Sequence, residues 1–192
     1  MDMEQLLWRL ADRYAPASLV PHARPKRFDH AGDLVVGDGR VSWDTPGWTE
    51  GGFSHALPPG THPVHVGAYT DEDRDLVSVV VIPLAEPARI AAARWNRHGY
   101  DDIHPVEDYA VLWGEDAMRA TLPHEDGLPS FFPGARDRIA AEGGRGWPNV
   151  VLDRETGANA LVFPVEAENV DGHEITDDDG NLLCLVLTAF DR

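Results

Sequence analysis

Apolar residues recur at helical spacing near the N-terminus. Over residues 2–14, Leu6, Leu7, Leu10 and Tyr14 share one face, acids occupy the first turn, and Pro16 closes the segment. A short amphipathic helix is expected there. The proline-bearing polar stretch Pro16–Asp29 reads as a surface arm. Beyond residue 32 the period shortens. Asp33–Gly37 and Arg40–Trp43 flank Asp38-Gly39, a dipeptide suited to the positive φ values of a type I′ turn, and predict a β-hairpin. His62–Tyr69 and Leu76–Leu84 flank the acidic run TDEDRD and predict a second hairpin. Its later arm is nearly continuous in β-branched residues, as a strand buried on both faces would be. Val150–Asp153 and Ala158–Phe163, around R-E-T-G, predict a third.

Tyr109–Trp113 and Leu182–Phe190 read as further strands, the second preceded by a turn at Asp177–Gly180. Glu115–Thr121 and Ala135–Glu142 read as short helices, the latter stopped by Gly143-Gly144. Ala88–Trp95 fits either state; its alanines favour a helix and its flanks a strand. The loop Asp44–Gly60 has no period. Together these elements predict an α+β fold, mostly antiparallel β, with an N-terminal helix and one or two short helices. One domain over 1–192 is expected, with 1–31 as helix and arm and 32–192 as the β-rich core.

At 192 residues with 43% hydrophobic content, the chain can bury a sizeable core. Charge narrows the partners. Sixteen basic against thirty-three acidic residues give a net charge of −17. Such a surface repels phosphate backbones and anionic lipid, so neither nucleic acid nor membrane is expected as a partner. Acids stand at the N-terminus where a secretory signal carries basic residues, so a cytoplasmic location is expected. Lys26 is the sole lysine among those sixteen, a bias that points to a GC-rich bacterial source. The single cysteine, Cys184, excludes an internal disulfide, and its place between leucines predicts a buried, inert thiol.

Catalytic signatures are missing. There is no G-x-S-x-G elbow around Ser54 and no Walker A loop, and GGRGW at 143–147 follows a helix rather than a strand. Nine histidines invite a metal reading. His62 and His65, three apart on a strand, fall on opposite faces. His98, Asp101, Asp102 and His104 make the densest mixed cluster but lack helical ligand spacing. His173-Glu174 does not extend to H-E-x-x-H. The run Asp177-Asp178-Asp179-Gly180-Asn181 fails as a calcium loop, since Gly180 at the sixth position puts Ile175 at the first, where a ligand is required. No metal or cofactor is expected.

An order of short motifs is similar to the bacterial domain of unknown function 4241. Gly32-Asp33-Leu34-Val35-Val36-Gly37-Asp38 resembles its first strand, and Pro59-Gly60-Thr61-His62-Pro63-Val64 its P-x-G-x-x-P-V motif with the register shifted by one. Arg89-Ile90-Ala91-Ala92 resembles an R-[VI]-A strand. Asp171-Gly172-His173, through Asp179-Gly180 to Phe190-Asp191, resembles the C-terminal strand region. The resemblance spans roughly residues 32–191 and implies a mostly β fold. It implies no activity.

The acids are unevenly spread. Residues 97–192 carry seven basic and twenty acidic side chains, and no lysine or arginine lies between Arg154 and Arg192. Glu166, Glu168, Asp171, Glu174, Asp177, Asp178 and Asp179 are therefore expected to form one exposed acidic face, partly covered by Arg89 or Arg94 from elsewhere. Trp48, in the unpatterned loop, is expected to be an exposed interface anchor. This pattern predicts a protein-binding module for a basic partner, immunity- or antitoxin-like. The alternative is a hydrolase or other enzyme with a carboxylate/His cleft.

Overall fold

A computed structural model describes residues 1–15, 24–37, 40–46, 57–95, 104–121, 134–143 and 146–190. In chain order the elements are α1 (Met3–Tyr14), β1 (Arg27–Val36), β2 (Val41–Asp44), β3 (Gly60–Asp71), β4 (Arg74–Pro83), α2 (Pro87–Ala92) and β5 (His104–Pro105). They continue with β6 (Tyr109–Gly114), α3 (Glu115–Thr121), α4 (Ala135–Ala141), β7 (Asn149–Val151), β8 (Asn159–Pro164), β9 (Asn169–Thr176) and β10 (Leu182–Phe190). The fold is α+β. Its strands pair antiparallel in two sheets, six-stranded β1-β3-β4-β10-β9-β5 and four-stranded β2-β6-β8-β7.

Four layers follow from which way each strand points its apolar residues. Val80 and Ile82 of β4 join Leu185 and Leu187 of β10 between the sheets, where they meet Leu112, Leu161 and Phe163. Their alternates Val79, Val81, Cys184 and Val186 face outward and are covered by Leu6, Leu10 and Tyr14 of α1 and Ile90 of α2. β4 and β10 pair directly, Val79 opposite Thr188 through Pro83 opposite Cys184. Cover on both faces explains their nearly continuous apolar sequences. On the far side, Tyr109, Val111, Trp113 and Val162 of the four-stranded sheet bury against Ala117 of α3 and Ala135 of α4. The helix α1 starts where its sequence says it should. Asp2 accepts the Gln5 amide at 2.8 Å while the Gln5 side chain accepts the Asp2 amide at 3.4 Å, a capping box.

Several expectations need correction. The expected arm, Pro16–Asp29, runs too far: β1 begins at Arg27 and seats Phe28 edge-on against Trp8, ring centroids 5.0 Å apart, while residues 16–23 lie outside the described residues. A register shift between His30 and Gly32, with Gly32 at φ 123°, lets the polar first half of β1 and its apolar second half join one strand. β1 and β2 are not a hairpin. β1 pairs with β3 and β2 with β6, so between Gly37 and Arg40 the chain leaves one sheet for the other. Asp38 and Gly39 themselves lie outside the described residues. Ala88–Trp95 is not a strand: Pro87 opens α2 at a position where its missing N–H costs nothing, and Ile90 is the anchor. The strand β9 had no counterpart in the pattern, because only Val170, Gly172, His173 and Ile175 of its eight residues are buried.

Candidate functional site

Two of the chain's crossings between the sheets run side by side. Residues 106–108 run from β5 to β6, and residues 165–168 run from β8 to β9. The two crossings continue the ladder from one sheet into the other. His104 pairs with Val170, the Val106 amide donates to the Glu168 carbonyl at 3.0 Å, the Val165 amide donates to the Asp108 carbonyl at 3.2 Å, and Tyr109 pairs with Pro164. Val106 and Val165 turn into the core between the sheets. Their neighbours Glu107, Asp108, Glu166 and Glu168 are thereby pushed outward, and all but the half-buried Glu107 are exposed. Thr45, just after β2, clips the seam: its hydroxyl donates to the Tyr109 carbonyl at 2.6 Å and accepts the Glu107 amide at 2.9 Å.

One cation sits in this seam. Arg136 of α4 donates through Nε to both oxygens of Asp108, at 3.0 and 2.8 Å, and through Nη2 to Glu107 at 2.6 Å. Its guanidinium lies 5.4 Å from the centre of the Tyr109 ring, within cation–π range. Hydrogen bonds to Asp108, then to Glu107, push the guanidinium pKa above its already high ordinary value. Burial pushes the Tyr109 phenol up, and its hydroxyl has no hydrogen-bond partner among the described residues. Asp44, whose charge also reaches the phenol, is 3% exposed and accepts the Ser42 hydroxyl at 2.8 Å.

Further acids stand at the same end of the six-stranded sheet. Phe190 pairs with Asn169 and Thr188 with Val79, so the start of β9 and the β3–β4 turn project the same way. That turn carries Asp71, Glu72 and Asp73, with Glu72 at φ 51°.

The expected acidic face is divided. Glu166 and Glu168 belong to the seam, whereas Asp177, Asp178 and Asp179 lie in the β9–β10 turn at the other end of β9. Eight strand residues separate the two groups by roughly 25 Å at about 3.4 Å per residue. Asp171 and Glu174 lie between them, half-buried and on opposite faces, as residues three apart on a strand must. Asp171 shares the α1 side with His173, 3.9 Å away, and His173 stacks on Tyr14 at 4.4 Å. Asp177 is a turn-former. Its carboxylate accepts the amides of Asp179 and Asn181, at 3.1 and 2.8 Å, and Arg89 pairs with it at 2.6 Å, as expected of an arginine from elsewhere. The Asn181 bonds, ahead of Arg89, hold its carboxyl below the usual range. Gly180, at φ 82°, closes the turn. Trp48 lies outside the described residues, as do Ser54, His98, Asp101 and Asp102.

His62 and His65 do fall on opposite faces. His62 is buried and bonds the Pro58 carbonyl at 2.8 Å; His65 faces His30, ring centroids 5.6 Å apart. Cys184 is buried and free. Among the described residues no group of three His, Cys, Asp or Glu side chains is placed to hold a metal ion, and no helix is long and apolar enough to cross a membrane. Glu107, Asp108 and Arg136 were not singled out by the sequence. They are an adjacent pair of acids and an arginine far along the chain, and their one local signal is the alternation of Val106 and Val165 with acids. No protein-family model, curated protein or solved structure matches the chain.

Proposed function

We propose that the protein is an acidic binding module, immunity- or antitoxin-like, that captures a basic protein partner on the seam between its sheets. The observation that supports this reading is the placement of Glu107, Asp108, Glu166 and Glu168 on two crossings bonded to each other through their backbones. Carboxylates fixed on paired backbone lose little conformational freedom when a partner docks. A net charge of −17 adds a long-range field that steers a cationic partner and sets its association rate. Action in the bacterial cytoplasm belongs to the same proposal. So does membership of the domain 4241 family, supported by the order of its glycine motifs, of which Gly32 and Gly60 sit at positive φ.

Affinity capture from bacterial cytoplasm at low and high salt tests the reading. The wild type should retain a basic protein that added salt releases. Glu166→Gln with Glu168→Gln should lose it, while Asp177→Asn, Asp178→Asn and Asp179→Asn together should keep it. Equal recovery by both variants, or no salt-sensitive partner, overturns the proposal.

A further inference from the structure

Arg136 is bound as a foreign arginine would be. Its fork meets two carboxylates, Asp108 at 2.8 and 3.0 Å and Glu107 at 2.6 Å, and its flat face covers an aromatic ring. Paired acceptors beside a ring select guanidinium over ammonium, because a planar fork fills both and a point charge fills one. The ring is fixed: Tyr109 is fully buried, is paired to Pro164 and has its carbonyl held by Thr45. Its hydroxyl is also buried and finds no partner among the described residues. The backbone that carries the acceptors is held too, since the Glu107 amide and the Asp108 carbonyl are both tied into the seam.

The occupant is held far less firmly than the site. The Arg136 side chain is 52% exposed, so a guanidinium displaced from the site returns to water rather than being left buried. It rides on α4, a seven-residue helix that opens at Gly134 with φ 74° and no side-chain cap. A helix so short has little stability of its own. A depression of about 230 Å³ adjoins it, lined by Tyr109, Gly134, Ala135, Arg136 and Asp137, with room for a second side chain to approach.

We infer that Glu107, Asp108 and Tyr109 form a guanidinium-binding site that Arg136 fills in cis, and that an arginine of the partner enters it by displacing Arg136. The identity of the natural ligand rests on the basic-partner reading; the site itself does not. Arg136 is then a stand-in that keeps the two carboxylates from repelling each other until the partner arrives.

Methylguanidinium and methylammonium, titrated into isotopically labelled protein, test the site with the amides of Glu107, Asp108 and Tyr109 as reporters. Arg136→Ala should bind methylguanidinium saturably, and roughly fivefold or more tighter than methylammonium. Wild type should bind it at least roughly fivefold more weakly than the variant, because its own arginine competes. Adding Asp108→Asn to Arg136→Ala should abolish the response. Arg136→Gln, which keeps most of the stem, serves if Arg136→Ala does not fold. Equal binding by wild type and variant, or no preference between the two cations, overturns the inference. So does loss of fold in both variants, which would make Arg136 a structural staple. A site that binds methylguanidinium in a protein that captures no partner would leave this inference standing and sink the basic-partner reading.

Discussion

Asn159 on β8 serves Val35 on β1 as a substitute strand. Its Oδ1 accepts the Val35 amide at 2.7 Å and its Nδ2 donates to the Asp33 carbonyl at 2.8 Å, the two outward groups that flank Leu34 on the sheet edge. Nδ2 also donates to Asn149 at 2.6 Å, and Asn159 is only 3% exposed. An edge that would otherwise present free backbone groups is thus closed by one amide side chain from the opposite sheet. Asn159→Ala should therefore destabilise the fold by about 2–4 kcal/mol, since it strands a part-buried N–H and C=O together. Urea unfolding measures this, and a cost under about 0.5 kcal/mol would mean that water replaces the amide freely.

Val80 lies between the sheets with no exposure, on the strand that pairs with β10. Val80→Ala should cost about 1–3 kcal/mol through lost burial and the cavity left behind. A change near zero in the urea midpoint would place the centre of the core elsewhere.

Cys184 should resist thiol reagents in the native protein. It is fully buried, and burial alone pushes its thiol pKa up, so the reactive thiolate is scarce. Labelling with a chromogenic disulfide should proceed at the rate of unfolding and accelerate in denaturant. Rapid stoichiometric labelling without denaturant would contradict the burial.

Acidification should weaken the fold through His65. Its pKa is lowered from 6.5, first by burial and then by the nearby His30. The unfolded chain therefore binds the proton more readily than the folded one. By linkage, the stability attached to His65 is full above about pH 6.5 and falls as the pH drops toward the lowered folded value. Asp153 and Asp177, whose folded values lie below 3.8, lose their contributions only in more acidic solution. Urea midpoints at about pH 7.5 and 5.5 should thus differ more in wild type than in His65→Asn. Identical differences would remove His65 from the account.

What could be read in the sequence followed burial. β4 and β10 were legible because both of their faces are covered and nearly every position is apolar. The hairpins around TDEDRD and R-E-T-G were legible because their turns are local; in the second, Asp153 bonds the Glu155 amide and the Thr156 hydroxyl, both at 2.8 Å, before Gly157 at φ 80°. Asp38-Gly39 misled for the converse reason. A two-residue turn preference is weak beside nine paired positions with β3, which take β1 into a different sheet from β2. β9 escaped because Asp171 and Glu174 break its apolar alternation, and its ladder to β10 compensates. Of the acids on the seam, Glu166 and Glu168 were found from the charge run. Glu107 and Asp108 were not, because what unites the four is a backbone pairing between segments far apart in the chain.

The two margins of the sandwich are fastened by different means. Along one, the ladder itself bends from sheet to sheet through Val106 and Val165; along the other, Asn159 reaches across to β1. The molecule is bound like a book, with a spine of main-chain bonds and a clasp of side chains, Asn159 on Asp33 and Val35 and Asp116 on the Gly37 amide. Opening it at the clasp disturbs β1 and leaves the spine shut, so the Val35 amide should exchange with solvent deuterium well before those of Val106 and Val165. Glu107, Asp108, Glu166 and Glu168 stand on the spine, where fluctuations at the clasp move them least.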